Sequence, residues 1–231
     1  MQLCPQGTLL DIVNRVGTTG ISQQGVCFDE LFVMFFTIEI MRFLEGMHSA
    51  GFIHGHLKID NCLLRLEDVP GGASALSTLY QPSVINFGRT LDMSLFPHNK
   101  QPTGDWPTDA RDCFELREHR PWTYQTDYFG LVGIIYCMLF GKYIETSSIT
   151  PQPPYNITTP FKRYWRNNLW MKLFDLLLNP CLVRPDGKLP LCEELVDIRH
   201  EMKGWLQHHC NRSSNTLKGL LKKIELSVYT R

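Results

Sequence analysis

Between Asp127 and Lys142 the chain runs for fourteen residues, Tyr128 to Gly141, without a charged side chain. Crossing a bilayer takes about 18 or more apolar residues, so this run is too short to span one. A surface helix would carry an apolar stripe and a polar face; a helix apolar all round belongs inside a protein. The run therefore predicts a helix from about Thr126 to Phe140 buried on all sides.

Other segments carry weaker signals of the same kind. Leu9, Leu10, Ile12, Val13 and Val16 have helical spacing, and Phe28 to His48 reads as a long apolar helix closed by Ser49-Ala50-Gly51. Further helices are predicted around Leu169 to Leu178, from Leu191 to His208, and in the tail from Ser214 to Tyr229. Gly17 to Gly25 reads as a polar loop. Cys62 to Leu66 reads as a strand and Val84-Ile85 as a second, very short one. The Gly-, Ser- and Pro-rich stretch Glu67 to Pro82 reads as an irregular connection. From Gly88 to Tyr124 there is little periodicity. With 43% apolar residues and neither repeats nor a clean linker, residues 1–231 are expected to form one mainly α domain with a small β-hairpin.

Charge and cysteine content narrow the partner classes. Lys plus Arg equals Asp plus Glu at 23 each, so no global field draws in nucleic acid or an anionic membrane. The eight cysteines include no CxxC pair and no zinc-like spacing with histidine, which reads as reduced thiols. His208-His209 beside Cys210 fits a helix end favouring cationic side chains better than a metal site. The triplets Asn156-Ile157-Thr158 and Asn211-Arg212-Ser213 carry no weight, since Met1 to Thr19 lacks the pattern of a signal peptide.

Three strings in order point to a family. His54-Gly55-His56-Leu57-Lys58-Ile59-Asp60-Asn61 resembles the protein-kinase catalytic loop, with Lys two residues and Asn five residues after the position of the catalytic Asp. Val84-Ile85-Asn86-Phe87-Gly88 resembles the strand and Asp-Phe-Gly turn that follow it. Asp127-Tyr128-Phe129-Gly130 resembles the start of the buried central helix of a kinase C-terminal lobe. The glycine of His54-Gly55-His56, the run Arg89 to Pro97, the string Pro121 to Gly130 and Tyr136 to Gly141 are more specifically similar to the BUB family of mitotic spindle-checkpoint kinases. The resemblance implies a kinase-like C-lobe that begins near the hinge, at Met1 to Gly7, with the N-lobe absent. It also implies ATP and Mg²⁺ as family cofactors, protein partners of the checkpoint or kinetochore, and a nuclear or cytoplasmic location. Neither nucleic acid nor membrane is expected as a partner.

Residue by residue, the resemblance puts His56 at the position of the catalytic Asp and Asn86 at that of the metal-binding Asp. In a kinase the first carboxylate accepts the substrate hydroxyl proton, and the second, with the loop Asn, holds the metal ions. Histidine is a bulkier base, and a neutral amide is a poor replacement for an anionic Mg²⁺ ligand. Lys58 and Asn61 match the residues that contact the transferred phosphate and the second metal, although turn hydrogen bonding accounts for both equally. Asp60 reads as a solvated loop carboxylate. His54 and Asp127 are assigned structural roles, Asp127 by accepting catalytic-loop N–H groups or by favouring a helix start. Trp122 and Tyr124 read as packing anchors.

Two functional classes follow: an inactive pseudokinase or truncated paralogue acting as a binding module, or an active serine/threonine kinase whose N-lobe lies outside these residues. A C-lobe alone would also expose part of its upper face, for which Leu3, Cys4, Leu63, Leu64 and Val84-Ile85 are the candidates.

Overall fold

The computed structural model describes residues 7–19, 28–66, 80–97, 101–104, 106–185, 187–189 and 193–212. The proposed hinge before Gly7, most of the Glu67 to Pro82 connection and the tail helix lie outside the described residues.

The charge-free run forms helix α4, Gln125–Phe140, and Tyr128 through Val132 and Ile134 through Leu139 are all buried. It stops where the sequence says it should: Gly141 takes φ 70°, and its N–H returns to the Cys137 carbonyl at 2.8 Å. Helix α1, Leu9–Thr19, runs past the expected end at Val16. Helix α2, Glu30–Ser49, starts at Asp29, whose carboxylate accepts the Leu31 N–H. The remaining helices are α3 (Phe114–Arg117), α5 (Asn167–Leu178), α6 (Pro180–Val183) and α7 (Glu193–Arg212). Helix α4 packs against both α2 and α5, and α7 covers α2 and α5. The Glu30 carboxylate fastens α2 to α5 by accepting the Arg166 N–H at 2.6 Å and the Trp170 Nε1–H at 2.7 Å. Trp122 and Tyr124 are buried, as packing anchors are.

The β structure is richer than one hairpin. Strand β2, Cys62–Leu66, pairs antiparallel with β3, and β3 spans Tyr80–Val84, leaving Ile85 just outside. A second antiparallel pair joins β1, Phe52–Ile53, to β4, Leu91–Asp92. Residues 54–61 connect β1 to β2, and residues 85–90 connect β3 to β4. Each connection is therefore anchored at both ends by strands paired to those of the other. The Ile85 N–H donates to the Asn61 carbonyl at 2.9 Å, which prolongs the contact into the connections themselves.

The upper face is more covered than its sequence implies. Leu64 and Val84 are buried, Leu63 is half-buried, and only Ile85 of the described candidates is exposed, at 37%. The cover comes from the start of the chain: Leu64 N–H donates to Gly7 O at 3.2 Å, and Thr8 bridges to Leu63.

Glycine at 130 is dictated by close approach. A Cβ there would overlap the carbonyl oxygen of Leu57, because the 54–61 connection lies directly on α4. Gly133, one turn on, has only Ile144 within 4 Å of such a Cβ, at 3.7 Å. Gly130→Ala is expected to cost about 1–3 kcal/mol in chemical denaturation, the usual cost of overpacking. Gly133→Ala should be neutral or stabilising by up to roughly 1 kcal/mol, since alanine is the better helix former.

Candidate functional site

The connection 54–61 is held from beneath by Asp127, in the first turn of α4. Asp127 is fully buried, and its carboxylate accepts the His54 N–H and the Gly55 N–H, both at 2.8 Å. A third donor is His48, near the end of α2, with Nε2 at 2.9 Å from Oδ2. Because the carboxylate accepts, His48 Nε2 carries the proton. On its other side, Nδ1 lies 3.0 Å from the Tyr128 hydroxyl, which in turn accepts the Leu189 N–H at 2.9 Å. Sequence reading did not single out His48; a lone histidine at the end of an apolar helix carries no local sign of a partner 79 residues away.

Gly55 is as constrained as Gly130. It takes φ 72°, and a Cβ would lie 2.5 Å from the Arg89 carbonyl. His54 is buried; its Nε2–H donates to Ile85 O at 3.1 Å and its Nδ1 accepts the His56 N–H at 3.2 Å. Burial pushes the His54 imidazole below its ordinary pKa, with Asp127 opposing. Its ring stands 5.0 Å from that of Phe87, which is 50% exposed.

His56, Asn61 and Asn86 come together above this base. Asn86 is left-handed at φ 69°, a conformation that asparagine tolerates better than most residues. Its Nδ2 reaches His56 Nδ1 at 3.1 Å and Asn61 Oδ1 at 3.4 Å. Asn61 Nδ2 donates to the His56 carbonyl at 2.8 Å and lies 3.4 Å from His56 Nδ1. Facing two amide donors, His56 Nδ1 is the acceptor and Nε2 holds the ring proton. Burial first, then the nearby Arg89 and Lys58 cations, lower the His56 pKa from 6.5. The ring is thus a neutral base whose Nδ1 lone pair is already used.

Lys58 points elsewhere. Its ammonium lies 3.1 Å from Asp112 and 3.8 Å from Asp109, so it makes a long-range charge pair rather than the turn hydrogen bond its sequence context allows. Asp60 is not simply solvated either: Oδ2 lies 3.6 Å from Arg111 Nη1. Asp109, Arg111 and Asp112 come from the aperiodic segment before α3, where no spacing marks them.

Among the described residues no group of three or more His, Cys, Asp or Glu side chains could hold a metal ion. Where the resemblance places a metal, the donor set is an imidazole and two amides. Mg²⁺ prefers anionic oxygen ligands, and these residues do not fit it.

No family model matches the chain. Curated proteins do: it is 48% identical over 97% of its length to the spindle assembly checkpoint serine/threonine-protein kinase bub1 of Schizosaccharomyces pombe. The chain is homologous to the BUB1 checkpoint kinases. Identity is 40% over 87% of the chain with the Saccharomyces cerevisiae BUB1 kinase, and 36% over 96% with that of Arabidopsis thaliana. It spans 22% and 20% of the two yeast BUB1 proteins and 42% of the plant one. Among solved structures, the BubR1 kinase domain matches 98% of this chain with TM-score 0.72 at 26% identity, and the chain covers 62% of that structure. The mainly helical BUB1-like chain is therefore part of a kinase fold.

Replacing Asp127 by Asn turns one carboxylate oxygen into an NH₂ that faces donors. Because a buried, multiply bonded carboxylate is lost, stability should fall by about 3 kcal/mol or more in chemical denaturation. The two lowered imidazoles give a pH signature. Protonating them costs folding free energy, so their contribution is complete above about pH 6.5 and is lost as the pH falls towards the lowered values. His56→Gln should flatten the pH dependence of stability between about pH 7.5 and 5.5, and the His56 imidazole should titrate below 6.5 by NMR.

Proposed function

We propose that this chain is a BUB1-type checkpoint kinase relative that transfers little or no phosphate and acts as a protein-binding module in spindle-checkpoint signalling. The observation that carries the reading is the hydrogen bond between Asn86 and His56. The positions of the metal carboxylate and the catalytic carboxylate in the homologous kinases are held by two neutral groups that satisfy each other. A kinase depends on those carboxylates for aligning the substrate hydroxyl and for holding the ions that neutralise developing charge. ATP and Mg²⁺ are the family's cofactors, and a site with this donor set has no oxygen anion to offer the metal.

Residues 1–231 are read as a single kinase-like C-lobe starting near the hinge. The homology supports checkpoint or kinetochore proteins as partners and a nuclear or cytoplasmic location. No described helix is long and apolar enough to cross a membrane.

A second reading, an active serine/threonine kinase completed by residues outside these 231, is favoured by the presence of Lys58 and Asn61 at their family positions. The two part in one assay. Joined to the remaining part of the kinase domain of the Schizosaccharomyces pombe bub1 relative, the chain should show no ATP-dependent radiolabel incorporation into itself or a generic acceptor protein, and no rise in melting temperature with ATP and Mg²⁺. Incorporation that disappears on His56→Ala would establish the second reading.

A further inference from the structure

We propose that the turn at residues 162–166 and the end of α7 form a docking face for an acidic peptide segment of a protein partner. The inference rests on the reading of the chain as a protein-binding module and says where it binds and what.

Charge is balanced over the whole chain but not along it. Residues 146–174 contain no Asp or Glu, and they carry Lys162, Arg163, Arg166 and Lys172. Aromatic rings, rather than carboxylates, hold these cations in place. Trp165 is 6% exposed and packs on Phe140 with ring centroids 5.5 Å apart, while its N–H closes a turn on the Lys162 carbonyl at 3.0 Å. With that anchor buried, Arg163 and Tyr164 stand at the outside of the turn. Tyr164 is 61% exposed, and no carboxylate among the described residues pairs with Arg163. The Lys162 ammonium lies 5.8 Å above the Tyr164 ring.

Arg166 extends the face to α7. Its guanidinium stacks 3.3 Å above the ring of Trp205, whose other neighbour is His208, near parallel at 6.1 Å. A guanidinium held flat on an indole directs its N–H groups sideways, in the plane of the stack. Those donors are unmet: the Glu201 carboxylate is 3.9 Å from Nη1, beyond hydrogen-bond reach, and Nε is buried without an acceptor. Glu30 is spent on the Arg166 backbone N–H and on Trp170. Arginine forks take carboxylates bidentately, and an exposed tyrosine offers an apolar body with a polar tip. The pair suits a peptide whose acidic residues flank an aromatic one. Nucleic acid asks for more, since tight binders neutralise roughly six to ten phosphates.

The test uses the purified chain and a fluorescein-labelled heptapeptide of Asp and Glu around a central phenylalanine, with its Asn and Gln counterpart as control. Fluorescence anisotropy should show saturable binding of the acidic peptide, weakening as NaCl rises from about 50 to 300 mM, and none of the amide peptide. Arg163→Gln and Arg166→Gln should each raise Kd at least about fivefold, and Tyr164→Ala about threefold. Arg120→Gln, which removes an exposed arginine already paired with Glu118, should leave Kd unchanged. Absence of saturable binding, or binding that the three variants leave intact, would overturn the docking face. Neither outcome touches the radiolabel assay, so the face and the proposed function fail separately. Tighter binding of an oligothymidine of about 12 nucleotides than of the peptide would overturn the peptide as occupant. Should Arg166→Gln not fold, the variants at the exposed Arg163 and Tyr164 decide the matter.

Discussion

Asp127 places a carboxylate where no water reaches, and gives both oxygens donors that come from outside its own helix. Burying an unpaired carboxylate costs several kcal/mol even after relaxation, so the arrangement survives only with those donors in place. The dependence also runs the other way. The backbone N–H groups of His54 and Gly55 point into the protein and would be stranded without the acid. Helices α2 and α4 and the 54–61 connection thus meet at one group, and Gly130 lets the backbone come close enough for the meeting to happen.

Above that junction, shape and reactivity are supplied by different residues. Backbone hydrogen bonds, two strand pairs and two glycines place positions 56, 61 and 86 beside one another. None of those supports involves the side chains at 56 or 86. In a metal-binding kinase site, two carboxylates at such a distance would repel unless ions lay between them. An imidazole and an amide are attracted to each other instead, so the site is stable while empty of charge.

What could be read in the sequence divides along the range of the interactions. Helix α4 was legible because a charge-free run of that length has few places to go, and the His54 to Asn61 string because its meaning lies in its own spacing. Strand β3 was legible only at its end: Pro82 and Ser83 obscure a segment whose β character comes from pairing with β2. The β1 and β4 strands are two residues each, too short to show alternation. His48 and Asp112 were missed for a third reason. Each acts through a partner far away in sequence, 79 residues for His48 and Asp127, and nothing nearby records such a pairing.

The pairing of β1 with β4 and of β2 with β3 closes residues 54–61 and 85–90 into a ring whose two seams are Ile53 against Leu91 and Cys62 against Val84. A ring of fixed circumference constrains the length of its two loops as well as the residue at Gly55. An exchange of the side chain at 56 or 86 leaves the seams untouched, whereas an added or deleted residue is taken up as a bulge or as a register slip that turns the following side chains of that strand to the opposite face. The two loops can therefore hold their length and backbone course whatever the side chains at 56 and 86, which is why the kinase-like spacing stays visible in a sequence that carries His56 and Asn86.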